Sequence, residues 1–403
     1  MYKAILVIID GLGDYQYEEL GNKSPLEAAN KEIMDFMAKN GETGFLIPIA
    51  PYIIPGSDTA HLSIFGYDPY KYYQGRGVYE ALGANLTLEE NDIAFRANLA
   101  YVENNIVKDR RAGREPYLMD KLYEEINGLE IDDVKVIAKH TSEHRGVIIF
   151  KGLNLSNRVT DVDPHKLNVE IKESIPLDES KESKRTSEIV NKFTKKCMEI
   201  LSRSEYNKER IKKGLLPANA ILIRGAGKYK QVESIERRFN VKVSCIAGGA
   251  LYKGIGRFLG MKVYDIPGAT GDKNTNLKNK LEYALKAKED SDIVFLHIKA
   301  TDAFGHDGKF KEKKEFIEKI DKEIMKGLIG NFDLIVITGD HSTPCKRREH
   351  SGDPVPILAY GINVRKDHGY FSEVNPSPSL FLKGPDVMNY ILNKIERLNK
   401  FGE

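Results

Sequence analysis

Ile293-Val294-Phe295-Leu296-His297-Ile298-Lys299-Ala300-Thr301-Asp302-Ala303-Phe304-Gly305-His306-Asp307-Gly308 sets the pattern of this chain: a short apolar run that empties into chelating side chains. So short and nearly unbroken a run predicts a strand covered on both faces rather than an exposed one. Just beyond it, Asp302 and His306 stand four residues apart, a spacing that suits two ligands on one metal. His297, inside the run, reads as a hydrogen-bonded core residue. The same design recurs where Ala4–Ile9 leads into Asp10-Gly11-Leu12-Gly13-Asp14, and where Leu334–Thr338 leads into Gly339-Asp340-His341-Ser342-Thr343-Pro344. A fourth apolar run covers 355–360, and His350 lies between the last two, in Arg348-Glu349-His350-Ser351-Gly352-Asp353. Longer amphipathic stretches separate these runs, so the alternation predicts an α/β protein with buried parallel strands. In such sheets ligands bind at the carboxyl ends of the strands, where these Asp and His residues fall.

The 403 residues suffice for two or three domains. With 41% hydrophobic and 30% charged residues, wholesale disorder and a coiled coil are excluded. Lys+Arg (61) and Asp+Glu (59) nearly cancel, which removes the electrostatic case for a dedicated nucleic-acid binder. Cys197, Cys245 and Cys345 are odd in number and widely spaced, so neither a disulfide framework nor a zinc ribbon is available and a reducing cytoplasm is expected. No run approaches the roughly 18 apolar residues of a membrane span, so no membrane partner is expected. The first apolar run is too short for a signal-peptide core.

The middle of the chain reads differently. Its apolar runs fall at 93–99, 134–138, 147–150 and 220–223, and Ile189, Phe193, Cys197, Ile200 and Leu201 share one face of a long, otherwise charged helix. This suggests an inserted domain, with Gly/Pro punctuation at 69–77 and 215–219 marking the crossings. The expected division is a catalytic domain of residues 1–76 plus 241–403, and an inserted α+β cap of residues 77–240.

Ser57, in Pro55-Gly56-Ser57-Asp58-Thr59-Ala60-His61, is either a helix N-cap or a nucleophile at a helix N-terminus, where the dipole favours phosphate. The Gly-x-Gly after Asp10 does not complete a dinucleotide fingerprint, because Gln16 stands where a third glycine belongs and the acid precedes the loop. Neither Gly225-Ala226-Gly227-Lys228 nor the stretch 268–274 completes a P-loop. Taken singly, each Asp or His could be an ordinary turn residue. Jointly, Asp10, Ser57, Asp302, His306, Asp340, His341 and His350 offer carboxylates and imidazoles for two divalent ions, plus one hydroxyl. Phosphoryl transfer through a phosphoserine needs that set.

With these stretches, and with Asp109-Arg110-Arg111-Ala112-Gly113-Arg114, the chain resembles the archaeal type of cofactor-independent phosphoglycerate mutase, within the metal-dependent alkaline phosphatase superfamily. The resemblance implies an alkaline-phosphatase-like parallel-sheet domain, with a cap that keeps water from the phosphoserine. It implies an isomerase of glycolysis and gluconeogenesis that interconverts 2-phosphoglycerate and 3-phosphoglycerate without bisphosphoglycerate. By the same resemblance Ser57 is the nucleophile; Asp302, His306 and His350 hold one metal; and Asp10, Asp340, His341 and the Ser57 oxygen hold the other. Mixed oxygen and nitrogen ligation suits Mn²⁺ or Mg²⁺, with Zn²⁺ and Co²⁺ also compatible. Arg110, Arg111 and Arg114 are the first candidates for the substrate's oxyanions, followed by Arg145, Arg224 and Lys253. His144 is the candidate acid or base on the glycerate hydroxyls, since an unperturbed imidazole titrates near neutrality. A phosphatase, a phosphopentomutase or a phosphonate hydrolase would share every metal ligand, and a metal-bound binding protein without catalysis is the alternative from another class. Phosphoglycerate is the expected small-molecule partner; the oligomeric state is left open.

Overall fold

The structure, a computed structural model, describes residues 1–400 and 402. The chain divides into two compact units, one of Met1–Tyr73 with Val232–Glu403 and the other of Gln74–Gln231. In chain order the strands are β1 (Ala4–Ile9), β2 (Glu42–Ile47), β3 (Ile93–Glu103), β4 (Ile106–Asp109), β5 (Glu130–Ile131), β6 (Val134–Ser142), β7 (Arg145–Lys151), β8 (Ala220–Lys228), β9 (Val243–Ile246), β10 (Lys262–Val263), β11 (Ile293–Ile298), β12 (Leu334–Thr338), β13 (Val355–Gly361) and β14 (Leu380–Lys383).

The first unit is built on one sheet in the order β10-β9-β11-β1-β12-β13-β2-β14. Strands β10 through β12 run parallel, with Ile9 opposite Ile298 and Ile8 opposite Thr338. Every residue of β1, β11 and β12 is buried, as unbroken apolar runs require when both faces are covered. The expectation of a parallel strand fails at β13, which runs antiparallel to both β12 and β2. The reason lies in its connection: residues 339–354 form turns with no helix, whereas a parallel return needs a long crossover, usually helical. Beneath the sheet, Met34 and Met37, Leu277 and Ala284, and Phe316 and Ile317 from three helices pack with Ile5, Val7, Ile9, Ile335 and Ile337 in one core.

The second unit carries a six-stranded sheet, with β4-β3-β7-β6-β5 in order and β8 on the other side of β3. Its pairings are antiparallel. The helix Lys181–Arg203 lays Ile189, Phe193, Cys197 and Leu201 into its core, with Ile200 only partly buried at the margin. Burial pushes the Cys197 thiol well above its ordinary range, so it is inert packing. Among the described residues no helix is long and apolar enough to cross a membrane.

Candidate metal centre

Three neighbouring strands, β11, β1 and β12, deliver their carboxyl ends to one place. Asp10 follows β1, Asp340 and His341 follow β12, and Asp302 sits in the helix Ala300–Asp307 that follows β11. Gly11 is required for this convergence: its φ is +64°, and a Cβ there would stand 2.8 Å from the Asp302 backbone. Ser57 opens the helix Ser57–Ile64, and its Oγ lies 3.2 Å from His341 Nε2.

His341 is the hub. Its Nε2 is also 3.2 Å from Asp340 Oδ2 and 3.4 Å from Asp10 Oδ1. Two groups of donor atoms lie within 4.8 Å of one another: Asp10, Asp340 and His341, and Asp302, His341 and His350. His306 stands beside the second group, more exposed, with Nε2 3.4 Å from Asp302 Oδ1. His350 Nε2 is 3.5 Å from the same oxygen. All seven residues implied as ligands therefore gather at the carboxyl ends of these central strands.

The hydrogen bonds fix each imidazole for ligation. His341 Nδ1–H donates to Thr343 Oγ1 (3.0 Å), and that hydroxyl donates to Asp302 Oδ1 (2.7 Å). His306 Nδ1–H donates to the Arg348 carbonyl (2.8 Å), and His350 Nδ1–H to the Pro55 carbonyl (2.8 Å). In each ring the proton is held on Nδ1, and the Nε2 lone pair faces the carboxylates, the arrangement typical of metal-ligating histidine.

Charge balance points the same way. Asp10 Oδ1 and Asp340 Oδ2 are buried with no hydrogen-bond partner. Burial works against the Asp10 charge, but the Lys299 ammonium and the His297 hydrogen bond outweigh it and hold the carboxyl below its usual range. Asp340 is pushed well upward by burial and by the Asp10 charge. Buried carboxylate oxygens without partners are costly, and a divalent cation among them removes that cost. The donor set, hard oxygens with neutral imidazoles, fits divalent metal ions.

Lys299 and Tyr252 here were not singled out from sequence. Lys299 Nζ reaches Asp302 Oδ2 (2.6 Å) and Asp10 Oδ2 (3.2 Å), and the two carboxylates keep it protonated far above the lysine range despite burial. Its signal was its place directly after β11. The Tyr252 hydroxyl donates to Asp10 Oδ2, and its ring stacks on His297 at 3.5 Å; nothing in its neighbourhood of sequence announced this. His297 Nε2–H donates to that oxygen at 3.1 Å, as a hydrogen-bonded core residue should. His61, one turn beyond Ser57, donates from Nδ1 to the Ser57 carbonyl (2.6 Å).

The remaining candidates lie elsewhere. In the second unit, Arg110 grips Asp163 through Nε (2.8 Å) and Nη2 (2.6 Å), and Arg224 Nη1 reaches the same carboxylate at 2.8 Å. Arg145 is exposed, 3.5 Å from Glu143 Oε2, and Arg111 and Arg114 are exposed in the turn after β4. Arg96, not singled out from sequence, is paired with Glu80 at 3.2 Å, and the charges of Arg224 and Arg145 reach it. His144 is buried beside this cluster, and the expectation of near-neutral titration is not met. Burial, then the charges of Arg145, Arg114, Arg224 and Arg110, push it down to about 3, so its imidazole stays neutral at physiological pH. Lys253 belongs to the first unit, on the helix Ala250–Phe258, and its ammonium is committed to Asp265 Oδ1 at 2.8 Å.

A family profile described as 2,3-bisphosphoglycerate-independent phosphoglycerate mutase matches residues 38–207. Relatives bearing that name in Saccharolobus islandicus and Metallosphaera sedula are each 45% identical, over 100% of this chain and 99% of theirs. The chain belongs to the 2,3-bisphosphoglycerate-independent phosphoglycerate mutase family. Among solved structures, a protein from Pyrococcus horikoshii is similar with a TM-score of 0.85 and 38% identity, over 100% of this chain and 99% of that one. The cofactor-independent phosphoglycerate mutase from Thermoplasma acidophilum is similar with a TM-score of 0.69 and 34% identity, over 97% and 99%. Mutases of this family are isomerases, intramolecular phosphotransferases, and the converging strand ends of β11, β1 and β12 are the part of this member suited to such chemistry.

Proposed function

We propose that the chain interconverts 2-phosphoglycerate and 3-phosphoglycerate by passing the phosphoryl group through Ser57. The observation that carries this reading is the Ser57 hydroxyl, at a helix N-terminus and 3.2 Å from His341 Nε2, inside a buried set of carboxylates and imidazoles. Asp302, His306 and His350 would hold one divalent cation, and Asp10, Asp340, His341 and Ser57 the other, with Mn²⁺ or Mg²⁺ the ions best matched to the donors. When bound, such ions lower the pKa of a ligated hydroxyl and neutralise phosphoryl oxygens.

Ser57 Oγ attacks phosphorus in line; the Oγ–P bond forms as the bond from phosphorus to the glycerate oxygen breaks, and that oxygen gains, net, the proton Ser57 has lost. The second transfer reverses these events from the other glycerate hydroxyl, so no bisphosphoglycerate is needed. The positive end of the helix Ser57–Ile64 and the Lys299 ammonium favour the charge of the phosphoryl group. His61, bonded to the Ser57 carbonyl, fixes the backbone from which the nucleophile projects. On their chemistry, Arg110, Arg111, Arg114, Arg145 and Arg224 are the proposed contacts of the substrate's anionic groups. Neutral His144 remains the proposed acid or base on the glycerate hydroxyls, where its imidazole can donate or accept a hydrogen bond. We place the reaction in the cytoplasm, in keeping with three free cysteines.

Phosphorus NMR of 3-phosphoglycerate with Mn²⁺-treated protein, before quenching with chelator, tests the reading. Appearance of 2-phosphoglycerate without added bisphosphoglycerate, abolished by prior chelation, is the expected result. Release of free phosphate instead would make the chain a phosphatase with the same nucleophile.

A further inference from the structure

The helix Phe310–Ile320 presents a regular core stripe of Phe316, Ile317 and Ile320, and the helical period places Lys313 on that same stripe. Its neighbours Lys311, Glu312 and Glu315 are exposed, whereas Lys313 is fully buried. A buried ammonium is expensive unless every N–H is used. Here its partners number three: Asp14 Oδ2 at 2.8 Å, the Thr343 carbonyl at 3.1 Å and the Gly13 carbonyl at 3.2 Å.

Those partners belong to the two loops that carry the candidate ligands. Gly13 and Asp14 end the loop that begins with Asp10; Thr343 ends the turn that begins with Asp340 and His341. The loops also touch directly, for Thr343 N–H donates to the Gly13 carbonyl (3.0 Å) and Cys345 N–H to Asp14 Oδ1 (3.1 Å). Thr343 in turn holds Asp302 Oδ1 and His341 Nδ1 through its hydroxyl. Lys313 is thus linked through Thr343, bonded at its carbonyl and itself bonding through its hydroxyl, to Asp302 and to His341, which belongs to both donor groups, without reaching a donor atom itself.

We propose that Lys313 is a positioning residue of the centre: its ammonium, paired with Asp14, sets the spacing of the two loops and thereby the affinity of the site for divalent cations. This rests on reading the donor set as a metal site. Removing a supporting hydrogen bond behind metal ligands costs about 10–100-fold in affinity in other proteins, and a loss in that range is expected here.

The test is calorimetric titration of chelator-stripped protein with MnCl₂, alongside thermal unfolding of the same metal-free samples. Wild type, Lys313→Met and Ile317→Val are compared, the last truncating the same core stripe without touching the loops. Lys313→Met should weaken Mn²⁺ binding at least tenfold, while Ile317→Val lowers the unfolding temperature with Mn²⁺ affinity within twofold of wild type. If Lys313→Met does not fold, Asp14→Asn, which keeps the shape and removes the charge, should weaken binding at least fivefold. Wild-type affinity in a folded Lys313→Met or Asp14→Asn variant, or an equal loss in Ile317→Val, would overturn the role of Lys313 while leaving the metal site standing. Absence of Mn²⁺ binding in wild type would overturn the metal reading and this proposal with it.

Discussion

The donor cluster of the first unit and the arginine cluster of the second are both dense in charge, but they are balanced in opposite ways. In the first, Asp10 Oδ1 and Asp340 Oδ2 are buried without hydrogen-bond partners. In the second, four guanidiniums have carboxylates of their own: Arg110 and Arg224 share Asp163, Arg145 faces Glu143, and Arg96 faces Glu80. The first cluster gains stability from an added cation; an anion meeting the second must compete with carboxylates already there. Affinity at the first is therefore expected to be intrinsic, and affinity at the second conditional on what its own acids release.

The contrast breaks most sharply at Ser57. Ser57→Ala removes the nucleophile but only one of several donors, so mutase turnover should fall by at least about 10³-fold while Mn²⁺ binding persists. Activity near wild type in that variant, followed by phosphorus NMR, would dismiss the phosphoserine and with it the functional meaning of the cluster. Next in size is stripping of divalent ions. It should abolish turnover and lower stability, by about 2.7 kcal/mol for each bound ion relative to protein held at a hundredfold excess of ion over Kd. Differential scanning calorimetry with and without chelator reads this, and coincident melting curves would show that the orphaned carboxylates of the first unit do not recruit a cation.

Asp163→Asn probes the other side. The side chain is wholly buried and the two guanidiniums are 17% and 16% exposed, so removing the shared charge leaves two cations facing each other. Breaking a buried pair costs about 3–5 kcal/mol; partial exposure of the arginines places this case at or below about 3. Urea unfolding measures it, and a change under about 0.5 kcal/mol, the range of an ordinary surface substitution, would mean that the arginines are held by something other than Asp163. Arg110→Ala, in the same cluster, should raise KM for phosphoglycerate while sparing hydrolysis of a small aryl phosphate; equal losses would remove the cluster from substrate recognition.

What was legible in the sequence follows from the same contrast. β1, β11 and β12 were readable because burial on both faces leaves no polar alternation, and Asp10, Asp302, Asp340 and His341 were readable because they interrupt such runs at the strand ends. His306 and His350 needed only that neighbourhood. The direction of β13 was not readable from its apolar residues, since they are the same for either orientation; only the missing crossover helix in 339–354 decides it. Tyr252 reaches the centre from another element, and a contact of that range leaves no trace in local spacing. For His144 the residue type suggested a titrating group, but burial and four guanidinium charges set its behaviour, and those are properties of the folded unit. Lys313 had a signal that is easily overlooked, a lysine at a core position of an amphipathic helix.

The last effect concerns a carboxyl at the margin of the first unit's loops. Glu373 accepts from Asp14 N–H through Oε1 (3.1 Å) and from the Ser24 hydroxyl through Oε2 (2.6 Å), yet burial outweighs these bonds and raises its pKa from 4.5 to about 7. A carboxyl raised in the folded state binds its proton more tightly there than in the unfolded chain. Its contribution to stability is therefore fully present below about 4.5 and is lost as pH rises through about 7. In Glu373→Gln the side-chain oxygen can still accept from Asp14 N–H and the amide can donate to Ser24 Oγ, so the contacts survive without the titration. Urea unfolding of metal-free protein at pH 5, 6, 7 and 8 should show wild type losing stability relative to the variant across that window, with the gap levelling off above it. Parallel curves would mean that Glu373 ionises as easily folded as unfolded, and that the Asp14 loop beside the donor cluster is wetter than its burial implies.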